Sequence, residues 1–140
     1  MKVTDVMTKN PKVVSPEDPI RQAFKLMKEG RFRRLPVVRE GKLVGIISDR
    51  DLRQAMNTPV LVHERKQDDY VLDNVKVGMC MSSRLHTLSP EDSLEKAARV
   101  MKENKVGGCP VVDRGELVGI VTESDLLEYL VRSMEVGRLL

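Results

Sequence analysis

Two periodicities alternate along the chain. Ile20, Ala23, Phe24 and Met27 fall at i, i+3, i+4 and i+7, one stripe of a helix with a single buried face. Ser15-Pro16-Glu17-Asp18, just ahead, reads as the start of that helix. Its hydroxyl can cap, proline suits the first helical position, and two acids sit in the positive first turn. Gly30 ends the helix. Leu35-Pro36-Val37-Val38 and Lys42 to Ile47 follow as near-continuously apolar runs, as expected of strands covered by helices, and Glu40-Gly41 supplies a tight turn between them. Ser48-Asp49-Arg50-Asp51 opens a second helix running to about Met56. Val13-Val14 is a short strand candidate, and Val3 to Met7 form a lead-in. The order is strand, helix, strand, strand, helix.

The same pattern then returns. Ser15 to Leu52 recur as Ser89 to Leu126 at a constant offset of 74, without insertion or deletion, and roughly half of the aligned positions are identical. The second copy supplies the helix stripe Leu94, Ala97, Ala98 and Met101, and strands Cys109 to Val112 and Glu116 to Val121 with a turn at Arg114-Gly115. A helix from Thr122 to about Leu130, the strand candidate Thr87-Leu88 and the lead-in Val77 to Met81 complete it. The fold class is α/β (α+β by some schemes), with two β-α-β-β-α repeats. Residues 1–56 form repeat one with its lead-in, 57–74 a polar connector open to a part-helical reading, 75–132 repeat two, and 133–140 a tail that continues the last helix as far as Gly137. A repeat of some 55 residues sits near the lower limit for an independent core, so the two are expected to pack on each other.

Composition narrows the function. Aromatics make up 3% of the chain, with no Trp, so the core is aliphatic and there is no aromatic platform for nucleic acid. A net charge of +3 is too small to imply a nucleic-acid partner, although it leaves room for a small anionic ligand. Cys80 and Cys109 occupy non-equivalent repeat positions outside any CxxC or Cys/His cluster, which argues against a disulfide framework or a zinc site. Neither a signal-peptide pattern nor an 18-residue apolar run occurs, so the chain is read as cytoplasmic, with no membrane partner. Met79-Cys80-Met81 contains soft ligands but is read as packing, and His63 and His86 lie far apart with no nucleophile motif beside them. No GxGxxG, Walker A or GxSxG motif is present, and no catalytic constellation is found, so an enzyme is not expected.

The element that invites chemistry is a hydroxyl residue followed three positions later by an aspartate, where a buried strand turns into a helix: Ser48 and Asp51, then Thr122 and Asp125. This is close to a capping box, which by itself needs no ligand. The same geometry also suits a nucleotide. Free helix N–H groups favour phosphate, and a carboxylate there, which would repel phosphate, can take both vicinal hydroxyls of a ribose.

Leu35-Pro36-Val37-Val38, Gly45-Ile46-Ile47-Ser48 and Asp51-Leu52, with Cys109-Pro110-Val111-Val112, Gly119-Ile120-Val121-Thr122 and Asp125-Leu126, resemble a tandem cystathionine β-synthase (CBS) domain pair, or Bateman module. The lead-ins resemble those of stand-alone CBS proteins of the acetoin-utilisation type. The resemblance covers nearly all of residues 3–130. It implies two repeats packed pseudo-symmetrically, and a regulatory module binding AMP, ADP, ATP or S-adenosylmethionine in paired clefts, with no catalytic cofactor and no metal. It also implies a homodimer and a regulated protein partner that the sequence does not identify. Carried over, Asp51 and Asp125 take ribose, while Ser48 and Thr122 contact phosphate or sugar. Adenine lies against backbone near Val14, Leu35 and Pro36 in one copy, and near Leu88, Cys109 and Pro110 in the other. A ligand-free dimerisation module is the alternative. The copies differ where phosphate is expected: Arg31, Arg33, Arg34 and Arg50 in the first stand against Lys105, Gly107, Gly108 and Ser124 in the second. Two inequivalent clefts are therefore expected, the arginine-lined one preferring a phosphorylated ligand.

Overall fold

A computed structural model describes residues 1–57 and 65–137, with side chains from residue 68 onward in the second range. The elements are β1 (Thr8–Lys9), α1 (Ile20–Gly30), β2 (Arg34–Arg39), β3 (Lys42–Ser48), α2 (Asp49–Met56), α3 (Arg65–Asn74), the single turn α4 (Val77–Cys80), α5 (Leu94–Asn104), β4 (Gly108–Asp113), β5 (Glu116–Thr122) and α6 (Glu123–Glu135). A 3₁₀ turn at Val3–Asp5 precedes them. They form two compact units, one of Lys12–Leu85 and the other of Met1–Pro11 with His86–Leu140. Among the described residues, no helix is long and apolar enough to cross a membrane.

Each unit is built on a β-hairpin. In β2–β3 the pairing runs from Arg34 opposite Ser48 to Arg39 opposite Lys42, and β4–β5 repeats it from Gly108 opposite Thr122 to Asp113 opposite Glu116. Glu40 and Gly41, like Arg114 and Gly115, all have positive φ, the two-residue turn whose twist matches a hairpin. A bulge after Val37, and again after Val111, shifts the register. The helices then cover the apolar hairpin faces. Ile20, Ala23, Leu35, Val37, Ile47, Leu52 and Val77 are fully buried in one core, and Val3, Ala97, Cys109, Val111 and Val121 in the other. Burying side chains of this size contributes about 1.5–3 kcal/mol each before chain entropy is charged against it.

The strand pattern and both hairpins follow the sequence reading, but three details differ. The first helix begins at Ile20, one turn later than expected. Ser15 to Asp18 instead close a turn of their own, with the Ser15 N–H donating to Asp18 Oδ2 at 2.8 Å and the Asp18 N–H to the Ser15 carbonyl at 3.1 Å. Pro19, extended at ψ 151°, then delays helix entry. In the second copy Ser93 caps α5, accepting from the Lys96 N–H at 3.0 Å. Val13-Val14 and Thr87-Leu88 do not extend into strands: only Val14 and Leu88 form single parallel bridges, to Val37 and Val111. The final helix stops at Glu135, with Val136 and Gly137 in the closing turn.

The lead-ins also change places. The one that precedes the first copy in sequence folds into the unit of the second: the Val3 N–H donates to the Asp92 carbonyl at 2.7 Å, and β1 pairs with β5. The other lead-in joins the first copy's unit, the Val77 N–H reaching the Asp18 carbonyl at 2.9 Å and Ser82 bridging Ile46. Close approach is possible because each receiving strand has a glycine there. A Cβ on Gly45 would lie 2.6 Å from Met81 Sδ and 2.9 Å from the Ser82 carbonyl, and one on Gly119 would lie 2.5 Å from Met7 Sδ. Met81 and Cys80 thus pack as expected, whereas Met79 is exposed. The connector's α3 lies on the first copy's unit, with Val71 and Leu72 against its core and Arg21 Nε donating to Asp73 Oδ1 at 2.6 Å. His63 lies outside the described residues.

Candidate functional site

Each repeat's Ser/Thr-x-x-Asp unit forms a complete capping box. In the first copy the Asp51 N–H donates to Ser48 Oγ at 3.1 Å, while the Ser48 N–H donates to Asp51 Oδ2 at 2.9 Å. In the second the Thr122 N–H and hydroxyl both donate to Asp125 Oδ2, at 2.8 and 3.1 Å, and the Asp125 N–H returns to Thr122 Oγ1 at 3.4 Å. Both carboxylates are half-buried. In each, Oδ2 is committed to the cap, and Oδ1 accepts no hydrogen bond from the described residues. A carboxylate oriented by its own helix end with one oxygen still free is positioned to accept from a hydroxyl-bearing ligand.

Around Asp125 there is space for one. Asp125, Glu128, Tyr129 and Arg132 share a face of α6, and with Asp5 and Val6 of the lead-in they line an open groove of about 810 Å³. That lies within the usual volume range of small-molecule sites. Arg132 Nη2 donates to Glu128 Oε1 at 2.7 Å, so the one guanidinium among the groove's described residues is already paired. Sequence reasoning missed Asp5, Glu128, Tyr129 and Arg132. Helical spacing from Asp125 could have flagged the last three, but nothing in the sequence places Asp5 beside a copy more than 80 residues away.

In the first copy's unit, Asp51 lies close enough to Cys80 to act on it: burial first, and then the Asp51 charge, push the thiol above its ordinary range. Arg34 stands opposite Ser48 on the paired strand, and the Arg33 carbonyl accepts from the Asp49 N–H at 2.8 Å. The strand end carrying the arginines is thereby tied to the helix tip carrying Asp51. Arg33 and Arg50 are exposed and Arg34 half-buried, and among the described residues none of the three is ion-paired. Asp49 is held by Arg53 at 3.0 Å. At the equivalent places of the other unit, Gly108 is buried opposite Thr122, and Ser124 is exposed.

The residues expected near adenine belong to the cores. Leu35 and Cys109 are 0% exposed, Val14 2% and Leu88 3%, and Pro36 and Pro110 are fully buried. The Pro36 and Pro110 carbonyls accept from Val14 and Leu88 N–H groups at 3.2 and 2.9 Å. These residues belong to the cores, and their backbone groups tie Val14 to Pro36 and Leu88 to Pro110.

Comparison with known proteins agrees with this architecture. The family model described as CBS domain matches residues 3–58 and 75–132. A CBS domain-containing protein of Dictyostelium discoideum is 36% identical over 135 residues, spanning 95% of this chain and 93% of its own. Among solved structures, a Vibrio cholerae protein bearing the name acetoin utilization protein (AcuB) superposes with a TM-score of 0.80 at 28% identity, over 100% of this chain and 97% of its own. The CBS domain pair of protein MJ0100, in complex with 5′-methylthioadenosine and S-adenosyl-L-methionine, gives 0.80 at 27% identity over 95% and 98%. CBSX2 in complex with AMP gives 0.77 at 30% identity over 94% and 97%. With both repeats matched, the chain belongs to the CBS domain family and has the fold of a CBS domain pair.

Proposed function

We propose that the protein is a regulatory module, not an enzyme, that binds an adenosine-containing ligand and transmits its presence to a partner. The observation that carries this reading is the pair of aspartates held by their own helix caps, each with one carboxylate oxygen left to accept from a ribose. The groove beside Asp125 supports it, as do Arg33, Arg34 and Arg50, which have no ion-pair partner among the described residues. So do the adenosine ligands bound by two similar CBS pairs. Binding acts on a target only through different affinities for two states of the module. Thermal-shift measurements against AMP, ADP, ATP, NAD and S-adenosylmethionine test it. A ligand at about 100 times its dissociation constant stabilises by roughly 2.7 kcal/mol, and hence raises Tm by on the order of 5–10 °C. A flat response to all five overturns the reading.

A second reading, a dimerisation module with empty sites, has its own observation. Leu127, Leu130, Val131 and Met134 are 61, 46, 52 and 60% exposed and form one i, i+3, i+4, i+7 stripe along α6. Such a stripe suits pairing with a second copy. The two readings coexist if ligand binding acts on the pairing.

A further inference from the structure

We infer that the first copy's unit carries a binding site apart from the helix-tip aspartates, for a small ligand with an apolar body and an anionic head group such as a carboxylate. The site is an open groove of about 520 Å³ between α1, α2 and the connector's α3, lined by Arg21, Phe24, Lys25, Lys28, Met56 and Leu72. That volume suits a small molecule. The inference is independent of adenosine binding.

The floor of the groove is apolar. Phe24, Met56 and Leu72, one from each helix, are half-buried and pack against the unit's core, and each leaves part of its side chain facing the groove. The second copy does not build the same floor. Ala98 stands there in place of Phe24, and the connector that supplies Leu72 matches neither repeat.

The rim is cationic. Arg21, Lys25 and Lys28 fall at i, i+4 and i+7 of α1, a row of like charges that by itself weakens a helix. Arg21 is relieved by Asp69 and Asp73 of α3, at 3.1 and 2.6 Å. Lys25 and Lys28 are exposed, and among the described residues neither has an ion-pair partner. In the second copy Glu95 and Arg99 occupy the places of Arg21 and Lys25, and they pair with each other. The first copy thus keeps two uncompensated ammonium groups beside apolar surface. Lysine stems lie along such surface while their heads stay in water, and residues three apart on a helix can reach one head group together. A carboxylate placed between Lys25 and Lys28 meets both charges, and its hydrocarbon body covers Phe24, Met56 and Leu72. Burial of that apolar area supplies most of the affinity, and the lysines select for the anion.

Titrating the full chain with sodium octanoate and with octanamide, its neutral counterpart, tests the assignment when followed by amide NMR shifts. Octanoate should move the amides of Lys25, Lys28 and Leu72. It should bind roughly 3- to 10-fold more tightly than octanamide, an advantage that added salt removes. Lys25→Gln with Lys28→Gln alters two exposed positions and should melt like the parent. That variant should bring octanoate down to the affinity of octanamide and leave octanamide unchanged. Arg99→Gln, at the place of Lys25 in the second copy, should change neither. Equal binding of the two compounds by the parent overturns the proposal, as does octanoate binding that survives loss of both lysines. Shifts confined to residues outside the groove, or no binding at all, overturn it too.

Discussion

Gly119→Ala should destabilise the protein by forcing apart a lead-in and a strand that are distant in sequence. The added Cβ would lie 2.5 Å from Met7 Sδ and 3.0 Å from the Thr8 carbonyl. The sulfur ends a flexible side chain and can swing away. The carbonyl belongs to β1, whose Thr8 and Lys9 are registered against Ile120 and Gly119, so it moves only if that pairing loosens. Overpacking of this kind costs about 1–3 kcal/mol. For a chain of this length each kcal/mol lowers Tm by about 3–5 °C, giving a fall of roughly 3–15 °C. Gly115→Ala is the control. Its φ is +82° and nothing lies within 4 Å of the added Cβ, so its cost of about 1–2 kcal/mol is conformational only. Melts followed by circular dichroism measure both, and Met7→Ala combined with each glycine variant apportions the effect. Because Met7 touches only the first of these sites, it should couple to Gly119→Ala by about 0.5 kcal/mol or more and to Gly115→Ala by nothing measurable. Equal coupling, or none to Gly119→Ala, would refute the packing of this lead-in on the second copy's strand.

Asp125→Ala should lower stability by about 0.5–2 kcal/mol, since it removes the acceptor for the Thr122 N–H and hydroxyl. Asp125→Asn keeps a carbonyl acceptor and should melt close to the parent, yet both variants should bind ligand about 10- to 100-fold more weakly; parent-like binding by the asparagine variant would reduce Asp125 to a cap. Burial and the Asp51 charge both keep the Cys80 thiol protonated beyond its ordinary range, so Asp51→Asn should move the pH dependence of Cys80 alkylation downward, though not fully to that of a free thiol. An unmoved profile would separate the two groups. Leu130→Lys with Met134→Lys should convert a dimer to monomer in sedimentation, with Tm measured at low concentration nearly unchanged because both residues are exposed at 46 and 60%. A monomeric parent would remove the pairing altogether.

Much of the fold was legible because hairpins and helix stripes are local. The Pro-Val-Val strands, the Glu40-Gly41 and Arg114-Gly115 turns and the caps at Ser48 and Thr122 depend on neighbours a few residues away. What escaped depends on distant ones. Ser-Pro-Glu-Asp carries every mark of a helix start, but its aspartate folds back on Ser15 and Ser89 amides, and backbone groups of the exchanged lead-ins meet the N–H groups of Ile20 and Leu94. Sequence order places each lead-in beside its own copy, whereas in the structure the backbone pairing and the glycines at 45 and 119, with Met81 and Met7 against them, show the exchange. The part-helical reading of the connector holds in α3, Arg65–Asn74, though the sequence does not show where that helix docks. Its apolar residues show no long stripe, and its helix is held by Val71 and Leu72 on the core and by Arg21 pairing with Asp69 and Asp73. The aspartates of the site were visible at once. The groove beside Asp125 was not, since part of its wall arrives with Met1, Asp5 and Val6 from the far end of the chain.

The central claim is that these cap-held aspartates recognise a ribose. Titrating the protein with AMP and with 2′,3′-dideoxy-AMP, which differ only in the two hydroxyls, tests it most directly. Losing charge-assisted hydrogen bonds of about 1.5–3 kcal/mol should weaken the dideoxy compound roughly 10- to 100-fold, a difference that shrinks in Asp51→Asn. Equal affinities for the two nucleotides would contradict the account.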